Sequence, residues 1–256
     1  MPNSTKISRF WCSRFRANRL TADELPWADA YELASHERSA IQHSIQQFQL
    51  GEGSNGKRLL KRGLEHARAT RDLDFLRALH FFVKEEQRHS SYLLRFMQAQ
   101  KIPALRHHWV DSVFRVLRGL AGLELSLRVL VTAEIIAIPY YRALRDATNS
   151  PLLKAMSTRI LADEAAHLRF QASMLSRLAP RRWAAMDWLI AKVHRVFLTG
   201  TSLIVWLGHR PVFLAAGYTC RQLLLEAHAE LRLLAHESSR NRLPAFDTAT
   251  EAPAER

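Results

Sequence analysis

The chain has few cysteines, glycines and prolines and no long apolar run, and these shortages exclude several classes of protein. It has 256 residues but only 2 cysteines, which excludes a disulfide framework and a cysteine-rich metal site. Glycine and proline number 9 each, and long stretches lack the alternation that is typical of strands. The longest uncharged apolar stretch, residues 196–208, is shorter than the ~20 residues of a membrane span. We therefore expect it to be a buried helix.

Acidic residues are scarce relative to basic ones. The chain has 24 Asp and Glu against 37 Lys and Arg, which gives a formal net charge of +13. Such a charge favours an acidic partner, for example nucleic acid, an anionic membrane surface or an acidic carrier protein. A basic surface without a specific partner is the alternative. We expect a cytoplasmic protein, with peripheral membrane association as the less favoured alternative.

Apolar residues recur at steps of three and four along most of the chain, which predicts an all-α fold. Short turns join the first predicted helix to the second and the third to the fourth, whereas the second connection is long enough to cross a bundle. This pattern indicates a four-helix bundle with one long crossover, the ferritin-like topology. The four predicted helices are helix A (35–69), helix B (70–100), helix C (120–147) and helix D (151–178).

The segments outside the predicted bundle have different compositions. We interpret residues 1–34 as an N-terminal basic arm and residues 35–178 as the bundle. Two additional helices, 181–207 and 211–238, are expected to pack on the bundle within the segment 179–240. Residues 241–256 are polar and rich in proline and alanine, which is typical of a disordered tail.

Each predicted bundle helix has a glutamate near the middle of its apolar face. A buried, ionised carboxylate costs several kcal/mol unless it is paired or binds a metal, and four together repel one another. In helices B and D a histidine follows three residues later, on the same face as the glutamate. One Glu from each of two helices and Glu-x-x-His from the other two form the ligand set of di-metal carboxylate bundles. The predicted metal ligands are Glu52, Glu86, His89, Glu134, Glu164 and His167.

Two short motifs carry a resemblance to a known superfamily. "EEQRHSSYLL" (85–94) and "ADEAAHLRF" (162–170) resemble signatures of acyl-carrier-protein desaturases and bacterial di-iron oxygenases. The chain therefore resembles the ferritin-like di-iron carboxylate superfamily over about residues 36–178. The resemblance implies that Glu85 and Asp163 hydrogen-bond the metal-ligating histidines, a role that fixes the orientation of each ring. Ile160 is a departure, since the related arylamine N-oxygenases have an additional histidine there.

The ligand types and the resemblance together indicate a function. Carboxylate and imidazole ligands suit two Fe ions, with Mn or a mixed Mn/Fe pair as the alternative. The resemblance implies a di-iron oxidoreductase that activates O2: an oxygenase, hydroxylase or desaturase. Its substrate would be a small or carrier-bound organic molecule, and ferredoxin or a reductase would supply electrons. A ferroxidase or iron-handling ferritin-like protein and an RNA-modifying hydroxylase are the alternatives.

Finer expectations concern the surroundings of the metals. We assign bridging positions to Glu86 and Glu164, the carboxylates of the two Glu-x-x-His motifs. Asn55, Phe82 and Ile138 lie one helical turn from predicted ligands, so each is a candidate to line a pocket for substrate or O2, with simple core packing as the alternative. We also expect a homodimer.

The segment Gly51–Lys57 reads "GEGSNGK" and matches the start of a phosphate-binding loop. Arg58, however, stands where such a loop needs Ser or Thr, and no apolar strand precedes the segment. We therefore predict no nucleotide site here. A glycine inside a helix costs about 1 kcal/mol relative to alanine, so this segment beside Glu52 should be the least regular part of helix A.

Overall fold

The computed structural model of the protein describes residues 2–20, 25–106, 122–178 and 183–239. All regular secondary structure in these ranges is helical, which confirms the all-α prediction. The predicted crossover and the predicted tail (241–256) lie largely or wholly outside the described residues. The helices are α1 (Pro2–Leu20), α2 (Ser35–Glu52), α3 (Lys57–Thr70), α4 (Leu73–Ala99), α5 (Leu123–Asp146), α6 (Pro151–Leu178), α7 (Ala184–Ala215) and α8 (Cys220–Ser239).

Helix A is interrupted, so the prediction of one helix over 35–69 is wrong. The chain leaves the helical conformation after Glu52 and resumes it at Lys57. Gly56 has φ +60°, and a Cβ at this position would lie 2.7 Å from the side chain of Val83. Only glycine fits both the left-handed backbone and this close approach to α4. The interruption places Glu52 at the end of a helix, next to an opening in the helical surface.

The pair α5 and α6 begins and ends close to the predicted positions of helices C and D. Ser150 caps α6, since its hydroxyl accepts a hydrogen bond from the backbone N–H of Leu153 at 3.2 Å. Pro139 lies inside α5, and the helix continues past it to Asp146. Both helices bury apolar residues along most of their length, so they form the centre of the core with α4.

The N-terminal segment contributes a helix to the core. In α1, Trp11 and Phe15 are each only 2% exposed, and both rings pack against Phe170 of α6. Asp72, the residue that caps α4, accepts hydrogen bonds from Ser8 at 2.8 Å and from Arg177 at 2.6 Å. Helix α1 thus holds α4 and α6 together on the side of the molecule where the predicted histidines lie.

Two predictions about the C-terminal helices are wrong. The helix break expected at 208–210 does not occur, because α7 continues to Ala215 and the turn follows at Gly217, which has φ +76°. Residues 196–208 were expected to be buried, yet Val196 is 73% and Leu207 is 74% exposed. The helix packs against α2, α5 and α8 along one side only. Of the described helices, α7 is the one long and apolar enough to cross a membrane by length and composition, and 22% of its most apolar window is buried.

Candidate metal centre

The six predicted ligands converge between α2, α4, α5 and α6. They form two groups, and within each group the ligand atoms lie within 4.8 Å of one another. Glu86 and Glu164 belong to both groups. These Glu and His side chains could therefore hold a metal ion. The groups are Glu52, Glu86, His89 and Glu164, and Glu86, Glu134, Glu164 and His167.

Several atoms that face the centre have no hydrogen-bond partner. They are Oε1 of Glu86, both carboxylate oxygens of Glu164, and Nδ1 of His89 and of His167. Nδ1 of His89 lies 3.3 Å from Glu164, and Nδ1 of His167 lies 2.9 Å from Glu86 without a hydrogen bond. A buried polar atom left unpaired costs about 1–3 kcal/mol. Metal coordination would satisfy all of these atoms at once, so the donor set fits two divalent cations.

Each histidine is oriented by a carboxylate from the opposite helix. Nε2 of His89 in α4 lies 3.1 Å from Oδ2 of Asp163 in α6. Nε2 of His167 in α6 lies 3.0 Å from Oε2 of Glu85 in α4. A carboxylate can only accept, so Nε2 carries the hydrogen and Nδ1 keeps its lone pair for a metal. Glu85 and Asp163 thus contact the histidines as the resemblance implies.

Both orienting carboxylates are held in the ionised form. Burial by itself would raise the pKa of Glu85, but the hydrogen bonds from His167 and Asn18 outweigh it and lower the pKa. The pKa of Asp163 is likewise lowered, because the interaction with His89 and the hydrogen bond from Asn18 exceed the cost of burial. Ionised partners make the imidazole more basic and therefore a stronger ligand.

Asn18 of α1 links the two orienting carboxylates, and no motif in the sequence marks it. Its side-chain N–H group donates to Glu85 at 2.6 Å and to Asp163 at 2.8 Å. Arg88 donates to the same pair at 3.1 Å and 3.2 Å, and Arg159 donates to Oδ1 of Asn18 at 2.6 Å. Helical spacing could have identified Asn18 from the sequence, because it puts residue 18 on the same face of α1 as residues 11 and 15, which are buried.

Two further donors hold the outer carboxylates. The hydroxyl of Tyr141 donates to Glu52 at 2.7 Å, and Nε2 of Gln171 donates to Glu134 at 2.7 Å. Gln171 is one turn beyond the second Glu-x-x-His motif, so helical periodicity alone would have placed it near the centre. These donors fix Glu52 and Glu134, the carboxylates that belong to one group each.

The glutamates of the centre titrate differently from ordinary carboxyls. Burial, together with the nearby Glu86, raises the pKa of Glu52, and burial with the nearby Glu134 raises the pKa of Glu86 to about 7. Burial also raises the pKa of Glu164, while close contacts with Glu164, His167 and Gln171 outweigh burial and lower the pKa of Glu134. In the absence of a cation the cluster therefore retains protons, which bound cations would displace.

A cavity of about 390 Å³ reaches the ligands through the interruption between α2 and α3. Glu52 and Glu86 form part of its wall, together with residues 51–59. Two of the candidate pocket residues, Asn55 and Phe82, line it. The third, Ile138, is buried in the core and does not line this cavity. The cavity is large enough for a small organic group or an extended chain.

Comparisons with known proteins do not indicate a function for this chain. The chain has no significant match to a protein-family model, to a curated protein or to a solved structure. The ligand arrangement, the oriented histidines and the cavity are therefore the observations from which a function can be inferred.

Proposed function

We propose that the protein is a non-haem di-iron oxidoreductase with a ferritin-like bundle that uses O2 to oxidise an organic substrate. The observation that carries the proposal is the pair of four-ligand groups that share Glu86 and Glu164. Two iron ions bound there would supply the electrons that activate O2 for hydroxylation, oxygenation or desaturation. Mn, or a mixed Mn/Fe pair, is the alternative occupant.

The chain's own residues account for the requirements of such a site. His89 and Glu52 would hold one cation and His167 and Glu134 the other, with Glu164 and Glu86 between them. An aromatic side chain of α1 excludes water on one side, since the ring of Phe15 lies 6.0 Å from the ring of His167. A dry wall on that side leaves the cavity at the α2–α3 interruption as the route for substrate.

The cavity favours substrate oxidation over iron storage. It connects the ligands to a surface that contains Lys57 and Arg58, whose charges suit a substrate with an anionic group or an acidic carrier. An external donor such as ferredoxin or a reductase would supply the electrons. A ferroxidase or RNA-modifying hydroxylase would share the metal centre and differ in what enters this cavity.

Metal analysis tests the proposal directly. Anaerobic reconstitution should give about two irons per chain. Glu164→Ala should lose both, because both groups use this residue, and Glu52→Ala should retain one. Glu65→Ala is the matched control, since Glu65 is an exposed glutamate of α3.

Other results would redirect or refute the proposal. No bound Fe or Mn, or equal loss of iron in the Glu65 control, would refute the metal centre. Loading with tens of irons per chain would identify an iron-storage protein. Tight RNA binding with a steep salt dependence would support the RNA-modifying hydroxylase.

A further inference from the structure

The outward side of α7 is apolar and exposed. Residues at steps of three and four along it are between 41% and 74% exposed and form what we call the α7 outer face. At Gly200, which falls on the same side, nothing lies within 4 Å of the position a Cβ would take. An exposed apolar surface of this length marks a site of association. The face includes Met186, Val193, Val196, Leu203, Leu207 and Leu214.

The opposite side of α7 is attached to the rest of the protein by polar contacts. Nδ1 of His209 lies 2.8 Å from the hydroxyl of Ser44 in α2, and Nε2 of His194 lies 2.9 Å from the hydroxyl of Thr132 in α5. A helix that crossed a bilayer would carry these groups, and the helices bonded to them, into hydrocarbon. The geometry instead suits a helix that lies flat, with one side on the protein and the other on a surface.

Aromatic and basic side chains stand at the end and along the edge of the face. Trp183 is 87% and Trp188 is 63% exposed at the beginning of α7. The ammonium of Lys192 lies 5.4 Å from the ring of Trp188. Tryptophan and long basic side chains favour the boundary between lipid and water, where the ring or the aliphatic stem is apolar and the tip is polar. Arg195 and Arg210 add exposed positive charge on the same helix.

We propose that the α7 outer face docks on an anionic membrane surface, with α7 in the plane of the headgroups and with Lys192 and Arg210 on lipid phosphates. The apolar side chains of the face would insert between the lipid headgroups. The basic residues and the net charge of +13 would favour anionic lipid over neutral lipid. The same charge disfavours pairing of this basic region with a second copy of the chain. The proposal is independent of the metal centre.

Vesicle co-sedimentation of the full chain tests the proposal. Vesicles of phosphatidylcholine with about 30% phosphatidylglycerol, which mimic an anionic leaflet, are compared with pure phosphatidylcholine. The protein should bind the anionic vesicles more than about tenfold tighter. The double variant V196E/L207E should bind them at least about tenfold more weakly, because it places two carboxylates on the face. Leu73→Glu is the matched control, because Leu73 is 57% exposed on α4, and it should bind like the unaltered protein.

A second variant keeps the proposal falsifiable if the double variant does not fold. K192E/R210E changes two exposed cations and lowers the net charge from +13 to +9, so it should weaken binding to anionic vesicles and leave binding to neutral vesicles unchanged; undiminished binding to anionic vesicles would overturn the proposal. The proposal is overturned if the unaltered protein stays in solution with anionic vesicles, or if V196E/L207E folds and binds as well as the Leu73→Glu control. It is also overturned if the face instead joins two copies, which is seen as a dimer that V196E/L207E dissociates and that does not sediment with vesicles.

Discussion

Asp163→Asn should weaken the cation held by His89 and leave the cation held by His167 nearly unaffected. Asp163 accepts hydrogen bonds from Nε2 of His89 at 3.1 Å, from Asn18 at 2.8 Å and from Arg88 at 3.2 Å. The amide keeps the shape of the side chain but loses the negative charge that makes the imidazole basic. Loss of such an orienting carboxylate costs about 10- to 100-fold in metal affinity, or roughly 1.4–2.7 kcal/mol.

The selectivity follows from the crossed arrangement. Glu85, not Asp163, contacts His167 at 3.0 Å, and Arg88 still has Glu85 as a partner at 3.1 Å when Asp163 is neutral. Glu85→Gln should therefore produce the complementary result and weaken the cation held by His167. Each variant is the control for the other, because both remove one buried negative charge from the same network.

Anaerobic calorimetric titration with Fe(II) measures the two affinities, and circular dichroism of the metal-free variants verifies that each is folded. Mn(II) with paramagnetic resonance offers a second readout of occupancy at each position. The reasoning is refuted if Asp163→Asn and Glu85→Gln weaken the same cation, or if either changes both affinities equally. It is also refuted if neither variant changes affinity by more than about threefold, since the hydrogen bonds to the histidines would then have no effect on the ligands.

Three other predictions concern the helix interruption, a buried histidine and proton release. Gly56→Ala should lower the free energy of unfolding in urea by about 2–4 kcal/mol, because the backbone is left-handed there and the added Cβ would contact Val83. Gly51→Ala should change the free energy of unfolding by less than about 1 kcal/mol, because no atom lies within 4 Å of the Cβ that it adds. Equal effects would contradict this reason for the interruption. Burial lowers the pKa of His194 from its usual 6.5 to about 4, so the folded protein holds this ring neutral. The contribution to stability, roughly 3 kcal/mol, is complete above pH 6.5 and is lost as the pH falls from there through 4. Urea unfolding at pH 7 and near pH 4 should therefore show a smaller acid loss in His194→Gln, and identical losses would refute the assignment. The pKa of Glu86 is raised to about 7, so cation loading at pH 6.5 should release protons, seen as a calorimetric enthalpy that depends on the buffer; a buffer-independent enthalpy would count against the cluster.

The prediction from the sequence succeeded where local periodicity decides the outcome. The all-α fold follows from apolar residues at steps of three and four, and α6 begins at the predicted Pro151. It failed at helix A, because the glycines in 51–56 reduce helix stability but do not by themselves say that the chain stops being helical. The side chain of Val83, which leaves room only for a glycine at 56, decides that.

The exposure of α7 illustrates a different limit of prediction from the sequence. An apolar segment such as 196–208 has the same composition whether it is buried in a core or open on a surface. Which side of α7 is covered depends on α2, α5 and α8, and the sequence of α7 contains no information about their positions. The expectation of a buried helix was therefore wrong for Val196 and Leu207 while it held for Leu198, which is fully buried.

The sequence by itself determined the helical class and the candidate ligands, because residues three or four apart on a helix must share a face. Glu86 with His89 and Glu164 with His167 could be paired on that ground alone. Only the tertiary structure decided that each histidine takes its carboxylate from the opposite helix and that Asn18 joins the two carboxylates. Those contacts connect residues far apart in the chain, whose approach depends on how whole helices pack.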